Sequence, residues 1–150
     1  MKVPLLLVRI QLFLLTASAV GFECLPSDLK NGKLILAGKG IVHFNDTTLS
    51  ACQNTFTASE RASVRILSFG WIGAGHDDDT KVESIAPMSF AYLDALGYTG
   101  IIEIDFTLNR IRSLEAKSFV GLSKLRSLCL IMNKIERIEA EVPELFLNYS

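Results

Sequence analysis

The chain of 150 residues has only four proline and ten glycine residues. This excludes a collagen-like or linker polymer, which is rich in both. Neither charge sign dominates, since 15 Lys and Arg residues against 16 Asp and Glu residues leave a net charge of −1. A nucleic-acid-binding protein normally carries a basic surplus, so this class is disfavoured. With 49% hydrophobic residues, the chain is also too apolar to be disordered.

Long apolar runs are scarce and lie at the N-terminus. Residues 10–22 form an uncharged run of thirteen residues, whereas a bilayer-spanning helix needs about 20. Lys2 and Arg9 make the start basic, and 17–19 is the small-residue triplet Ala-Ser-Ala. These features are typical of a secretory signal peptide. We predict a signal peptide at 1–19 and a secreted, extracellular product, or the ectodomain of a longer cell-surface protein, with no membrane span. A buried first helix of a cytosolic domain is the alternative.

Two segments of the chain repeat at an offset of 24 residues. Residues 101–116 and 125–140 both follow the pattern LxxLxLxxNxIxxL, with other apolar residues replacing some leucines. Asn109 and Asn133 occupy its polar position. An amphipathic helix is the alternative for the second segment, where apolar residues also recur at helical spacing. A helix does not explain why the β-rich string IIEIDF fills the same positions one period earlier, so the repeat is favoured.

This pattern resembles the extracellular leucine-rich repeat family, especially the N-terminal ectodomains of Toll-like receptors and short secreted immune-type repeat proteins. The resemblance implies an α/β-type solenoid, a right-handed coil of about four irregular repeats with short parallel strands on its concave face. Asn109 and Asn133 would turn inward and stack as a ladder that satisfies backbone groups. The implied divisions are an N-terminal cap region at 20–33 and repeats at 34–150, which are regular in 98–140 and carry an insertion near 70–81.

The resemblance also bears on the two ends of the chain. Three cysteines allow at most one internal disulfide, and we predict the pair Cys24–Cys52 because both lie where an N-terminal cap would sit. Three unpaired or intermolecularly paired thiols are the alternative. A C-terminal cap is missing, although a solenoid needs one to cover its last repeat. We therefore expect the natural chain to continue past Ser150.

The family model places one set of side chains on the concave surface. The set is acidic on one side and apolar on the other, which suits protein recognition better than binding of a polyanion. Ordinary solvated strand positions are the alternative. Cys129 would be a free thiol there, so dimerisation through Cys129 is predicted. The predicted ligand-binding residues are Ile66, Ser68, Glu103, Asp105, Thr107, Ser127, Cys129 and Ile131.

Few residues suggest a metal-binding, phosphate-binding or catalytic site. His76 is followed by three aspartates at 77–79, a string that offers hard oxygen ligands. No EF-hand spacing or HExxH motif accompanies it, so a solvated insertion loop is favoured. Residues 70–75 are glycine-rich but lack the Lys-Ser/Thr of a phosphate-binding loop. We predict no metal, no cofactor and no catalytic residue. Two acceptor sequons predict N-glycosylation at Asn45 and Asn148.

Together these observations predict a non-enzymatic protein-recognition module of the innate immune receptor type, binding a protein or microbial ligand. An extracellular matrix or adhesion protein is the first alternative. A secreted metal-dependent hydrolase that uses the loop from His76 to Asp79 is the second, and a truncated, non-functional product is the third. Function is not inherited from fold, so the resemblance alone specifies no ligand.

Overall fold

The computed structural model describes residues 22–70, 81–139 and 147–148. Its helical part there consists of two 3₁₀ turns, Pro26–Asp28 and Thr48–Cys52, and the α-helix α1, Ala58–Ser63. The strands, in chain order, are β1 (Leu29–Lys30), β2 (Lys33–Ile35), β3 (His43–Phe44), β4 (Ile66–Ser68), β5 (Ser84–Ile85), β6 (Glu103–Asp105), β7 (Ser113–Leu114), β8 (Ser127–Cys129), β9 (Arg137–Ile138) and β10 (Leu147–Asn148).

These strands form one large and two small sheets. The large sheet has six strands in the order β1-β2-β4-β6-β8-β10. It is mixed, because β1 runs antiparallel to β2 while the remaining neighbours are parallel. The two small sheets are the parallel pairs β3-β5 and β7-β9. They lie side by side, with β5 next to β7.

This arrangement corrects the predicted α/β-type solenoid with its right-handed coil of about four repeats. The structure is a mixed α/β sheet domain, in which no sheet closes on itself and α1, of six residues, is the only α-helix of the described part. A two-residue turn joins β1 to β2, whereas the connections from β2 to β4 and from β6 to β8 are longer and each contain one strand of a small sheet. The prediction failed because the apolar pattern specifies which side chains are buried, and several ways of stacking strands and turns bury the same side chains.

The hairpin β1–β2 begins the large sheet. Its two-residue turn consists of Asn31 and Gly32, which have φ angles of 50° and 74°. Positive φ at both positions is typical of a type I′ turn, whose twist matches that of the paired strands and which favours Asn-Gly. The carbonyl of Gly32 then accepts the backbone N–H groups of Arg65 and Ile66. The turn therefore leads directly into the parallel pairing of β2 with β4.

The core follows from the register of the large sheet. Strands β6 and β8 pair Glu103 with Ser127 and Asp105 with Cys129, an offset of 24 residues. Alternate side chains of a strand point to opposite faces, so the central residue of each strand points inward. The four central residues are in register and 0% exposed: Leu34, Leu67, Ile104 and Leu128. A second buried row lies two residues further along: Leu36, Phe69, Phe106 and Leu130.

Phenylalanine rings join the large sheet to the small ones. Phe44 of β3 is 0% exposed, and its ring centroid lies 5.0 Å from that of Phe69 and 4.8 Å from that of Phe90. Phe69 and Phe106 stack at 4.7 Å. Aromatic pairs at such separations add to the free energy of burial. The two layers therefore share one continuous core.

Tyr98 carries an unusual buried polar group. The residue is 1% exposed, and its hydroxyl has no hydrogen-bond partner within the described ranges. Burial raises the pKa of Tyr98 to about 12, and the charge of Arg61 opposes this shift. The shift follows from desolvation, which disfavours the charged phenolate.

We expect Tyr98→Phe to leave stability at neutral pH unchanged or to raise it by about 1 kcal/mol, because the substitution removes an unpaired polar group. The stabilities of the two proteins should diverge at alkaline pH. A group whose pKa is raised in the folded state stabilises the fold below its unfolded pKa, and that contribution is lost as pH rises through the folded value. For Tyr98 this window runs from 10.0 to about 12. Urea unfolding of both proteins at several pH values in this window measures the difference in their free energies of unfolding. The same pH dependence in both proteins would contradict the raised pKa of Tyr98.

Candidate recognition surface

The predicted ligand-binding residues lie on or beside the strands of the large sheet, opposite to the buried row. We call this side the outer face. It consists of the residues that flank the central positions of β2, β4, β6 and β8, together with Thr107 and Ile131, which lie two residues after β6 and β8. Seven of the eight predicted residues are half-buried there. Ser68 differs, because it is only 3% exposed and is therefore not accessible to a ligand. The accessible members are Ile66, Glu103, Asp105, Thr107, Ser127, Cys129 and Ile131.

A short polar chain crosses the outer face. The backbone N–H of Thr107 donates to Oδ1 of Asp105 at 2.9 Å. The hydroxyl of Thr107 lies 3.1 Å from Sγ of Cys129, close enough for a hydrogen bond in either direction. Asp105 and Cys129 are also directly paired in register. The three side chains therefore form one connected group on neighbouring strands.

Gly70 leaves space for the carboxylate of Asp105. A Cβ atom added at Gly70 would lie 2.6 Å from Oδ2 and 2.7 Å from Oδ1 of Asp105. Such an approach is too close for any side chain, so the carboxylate packs directly on the glycine backbone. Sequence reasoning treated Gly70 only as part of the glycine-rich run 70–75 and missed this contact. The signal available was a glycine two residues after a buried strand, since glycine near a strand often marks close approach of another group.

Two of the cysteines form a disulfide and the third is a free thiol. The predicted pair Cys24–Cys52 is confirmed, with a Cα–Cα distance of 5.1 Å. Thr55 supports it by donating its hydroxyl to the carbonyl of Cys24 at 3.0 Å. Cys129 is the free cysteine of the described part and is half-buried. Dimerisation through Cys129 stays a prediction.

Asn109 and Asn133 satisfy backbone groups at the ends of β6 and β8. The amide nitrogen of Asn109 donates to the carbonyls of Phe69 and Phe106 at 3.0 and 2.9 Å. Its Oδ1 accepts the N–H of Val82 at 2.8 Å. Asn133 repeats this pattern one strand later, donating to the carbonyl of Phe106 at 2.8 Å. Both side chains are thus engaged within the protein and are not available to a ligand.

The two predicted glycosylation sites differ in what the structure describes. At Asn45, Oδ1 accepts the hydroxyl and the N–H of Thr47 at 2.7 and 3.0 Å. Asn45 is half-buried and Thr47 is exposed. The backbone of Asn148 pairs with Cys129 through β10, but its side chain lies outside the described residues. Glycosylation at both sites stays a prediction.

The remaining sequence candidates offer no further site within the described ranges. The signal peptide at 1–19 and the insertion, including His76 and the aspartates at 77–79, lie outside the described residues. Residues 22–70 and 81–139 contain no group of three or more His, Cys, Asp or Glu side chains that could hold a metal. A cleft between 93–101 and 121–124 has a cavity volume of about 10 Å³, far below the range of about 300–1,000 Å³ typical of small-molecule pockets.

The outer face combines carboxylates, hydroxyls and apolar side chains on neighbouring paired strands. In the part of the chain that the structure describes, no helix is long and apolar enough to cross a membrane. No protein-family model matches the chain, and no curated protein matches it either.

Proposed function

We propose that this chain is a secreted or cell-surface, non-enzymatic recognition module that binds a protein or microbial ligand through the outer face. The observation that carries the proposal is the row of half-buried side chains on neighbouring strands, with Glu103 and Asp105 at its centre. The sequence resemblance to extracellular leucine-rich repeat proteins is a second argument for this proposal. An immune-type role is its most specific form.

The composition of the outer face defines the partner. Glu103 and Asp105 flank the central residue of β6, so their carboxylates lie on the same face within one strand. Ile66 stands directly beside Glu103 on β4, and neighbouring strands are about 4.8 Å apart. Ile131 follows β8 on the other side. A complementary protein surface presents one or two cations next to apolar groups.

Preorganisation favours binding at this face. Strands β4, β6 and β8 are each held by parallel pairing on both sides. The carboxylate of Asp105 is held by the N–H of Thr107 and packs on Gly70. Groups that are already ordered lose little conformational entropy when a partner binds. Asp105 is therefore the expected anchor for a cation, with Glu103 as a second charge.

The experiment uses the full chain, displayed as a tetramer and applied to a panel of purified extracellular proteins and microbial envelope components. We expect at least one component to bind. Glu103→Lys and Ile131→Glu should each weaken that binding about tenfold or more, because they reverse a charge or place one in an apolar contact. Surface plasmon resonance of each variant measures the change.

Lys117→Glu is the matched control, since Lys117 is exposed and follows β7 in the other layer. It changes the net charge as much as a single reversal on the outer face, and its affinity should equal that of the wild type. Equal affinity of all three variants would show that a different surface binds. Absence of binding to every component would contradict the recognition function itself.

A further inference from the structure

Two cations from separate segments meet at one short loop, the range 97–100, which lies shortly before β6. A Cβ atom added at Gly100 would overlap Nη1 of Arg65, so the guanidinium packs on the backbone of this glycine. The ammonium of Lys124 donates to the carbonyl of Thr99 at 2.8 Å. Arg65 precedes β4 and Lys124 precedes β8. The strands on the two sides of β6 therefore bring two positive charges to the same loop.

Both cations keep donors for a further acceptor. A guanidinium has five N–H groups and an ammonium has three. Nη1 of Arg65 donates to the carbonyl of Ala62 at 3.0 Å, and the side chain of Lys124 makes one hydrogen bond, to Thr99. Among the described residues neither side chain forms an ion pair with a carboxylate, and both residues are exposed. The two charges are therefore accessible and not neutralised.

The backbone of the loop adds donors at the same place. The N–H groups of Thr99, Gly100 and Ile101 make no hydrogen bond within the part of the chain that the structure describes. Gly100 and Ile101 are nevertheless buried, and buried N–H groups are normally paired. Consecutive N–H groups beside positive charge are typical of sites that hold a phosphate or sulfate group. The loop therefore combines two kinds of donor for an oxyanion.

One carboxylate lies close to this loop. Asp94 lines the cleft between 93–101 and 121–124 together with Thr99 and Lys124, but it forms no ion pair with Lys124. The cleft itself is too small for a ligand, so an anion binds over the loop at the surface, where Thr99 is exposed. The charge of Asp94 repels such an anion, and its removal should strengthen binding.

We propose that the loop 97–100, together with Arg65 and Lys124, binds a phosphate or sulfate group. Arg65 donates to two of its oxygens, because the planar guanidinium matches the spacing of two oxygens on one phosphorus or sulfur atom. Lys124 and the loop N–H groups donate to the others. One oxygen points away from the protein, so the group binds as a monoester as well as a free anion. The site shares no residue with the outer face and does not depend on binding there.

Nuclear magnetic resonance of the full chain tests this site by titration with inorganic phosphate and inorganic sulfate, against sodium chloride at equal ionic strength. We expect the amide signals of 99–101 to shift with phosphate or sulfate and not with chloride. Arg65→Gln and Lys124→Gln should each weaken binding about tenfold, because each removes charge-assisted hydrogen bonds. Asp94→Asn should strengthen binding about twofold, because it removes a repelling charge.

Two esters distinguish the sources of the group. A short-chain phosphatidylinositol phosphate carries it on a lipid headgroup, and a sulfated disaccharide carries it on a polysaccharide fragment. Tighter binding of one ester than of the inorganic anions identifies that source. Equal affinity for all probes identifies the free anion as the ligand.

Lys117→Gln is the control for net charge, since Lys117 is exposed and follows β7 in the other layer. This variant should bind like its parent, and the amide signals outside the loop show whether each variant keeps the fold. If Arg65→Gln does not fold, the exposed positions Lys124 and Asp94 still decide the outcome. A parent protein whose loop signals respond to none of the probes would overturn the proposal. So would a Lys124→Gln variant that binds as tightly as Lys117→Gln.

Discussion

Asn109→Leu is expected to lower the free energy of unfolding by about 4 kcal/mol. The substitution keeps the approximate size of the side chain and removes all of its polar atoms. It leaves the N–H of Val82 and the carbonyl of Phe69 without their side-chain partner, whereas the carbonyl of Phe106 keeps the amide group of Asn133. Asn109 is 4% exposed, so water does not readily replace these bonds. Each buried, unsatisfied group costs about 1–3 kcal/mol. Urea unfolding followed by circular dichroism measures the loss.

Asn133→Leu is the matched control. Asn133 makes the same kinds of bond, accepting the N–H of Ile111 at 3.0 Å and donating to the carbonyl of Leu130 at 2.9 Å. It is only half-buried, so water can replace part of what is lost, and we expect a cost of about 1–2 kcal/mol. Equal losses for the two variants would show that burial does not set the cost. A neutral Asn109→Leu would contradict the assigned hydrogen bonds.

Removing the disulfide with Cys24→Ala and Cys52→Ala is expected to cost about 3–4 kcal/mol. The two residues are 28 positions apart, and the link restricts the unfolded chain by closing that loop. Both cysteines are also buried, at 5% and 0% exposed, so truncation leaves small cavities in the core. The bond ties the segment before β1 to the 3₁₀ turn Thr48–Cys52. The unfolding midpoint in urea, with and without the bond, gives the difference.

Reduction of the wild-type protein should reproduce most of this loss, because it breaks the same bond without changing the sequence. Cys129→Ala is the control for loss of a thiol. Cys129 is half-buried and makes one polar contact, with Thr107, so its truncation should cost about 1 kcal/mol. If reduction left the midpoint unchanged, the disulfide would not stabilise the folded chain.

Local patterns in the sequence anticipated which residues meet across neighbouring strands. The segments aligned at an offset of 24 residues pair at that offset through β6 and β8. The apolar residues at their central positions, Ile104 and Leu128, are 0% exposed. This much is readable because alternation along a strand is a property of a few consecutive residues. The disulfide was predicted for a different reason, because Cys24 and Cys52 both lie in the N-terminal part of the chain, where a cap was expected.

The close contacts of the outer face could not be predicted from the sequence in this way. Ser68 occupies a position that alternation assigns to the surface, yet it is buried. Gly70 and Asp105 are 35 positions apart in the sequence, and a carboxylate packs on the glycine only because β4 and β6 are neighbours. The hairpin turn at Asn31 and Gly32 was readable in principle, because Asn-Gly is a strong local signal.

The sequence by itself determined the alternation of buried and outward residues, the offset between β6 and β8, and the cysteines that form the disulfide. The tertiary structure decided that these strands build a mixed sheet domain rather than the predicted solenoid. It also decided that Ser68 is inaccessible and that the carboxylate of Asp105 packs against Gly70. The physical reason is range: alternation acts between adjacent residues, whereas the order of strands and the exposure of an edge depend on segments far apart in the chain.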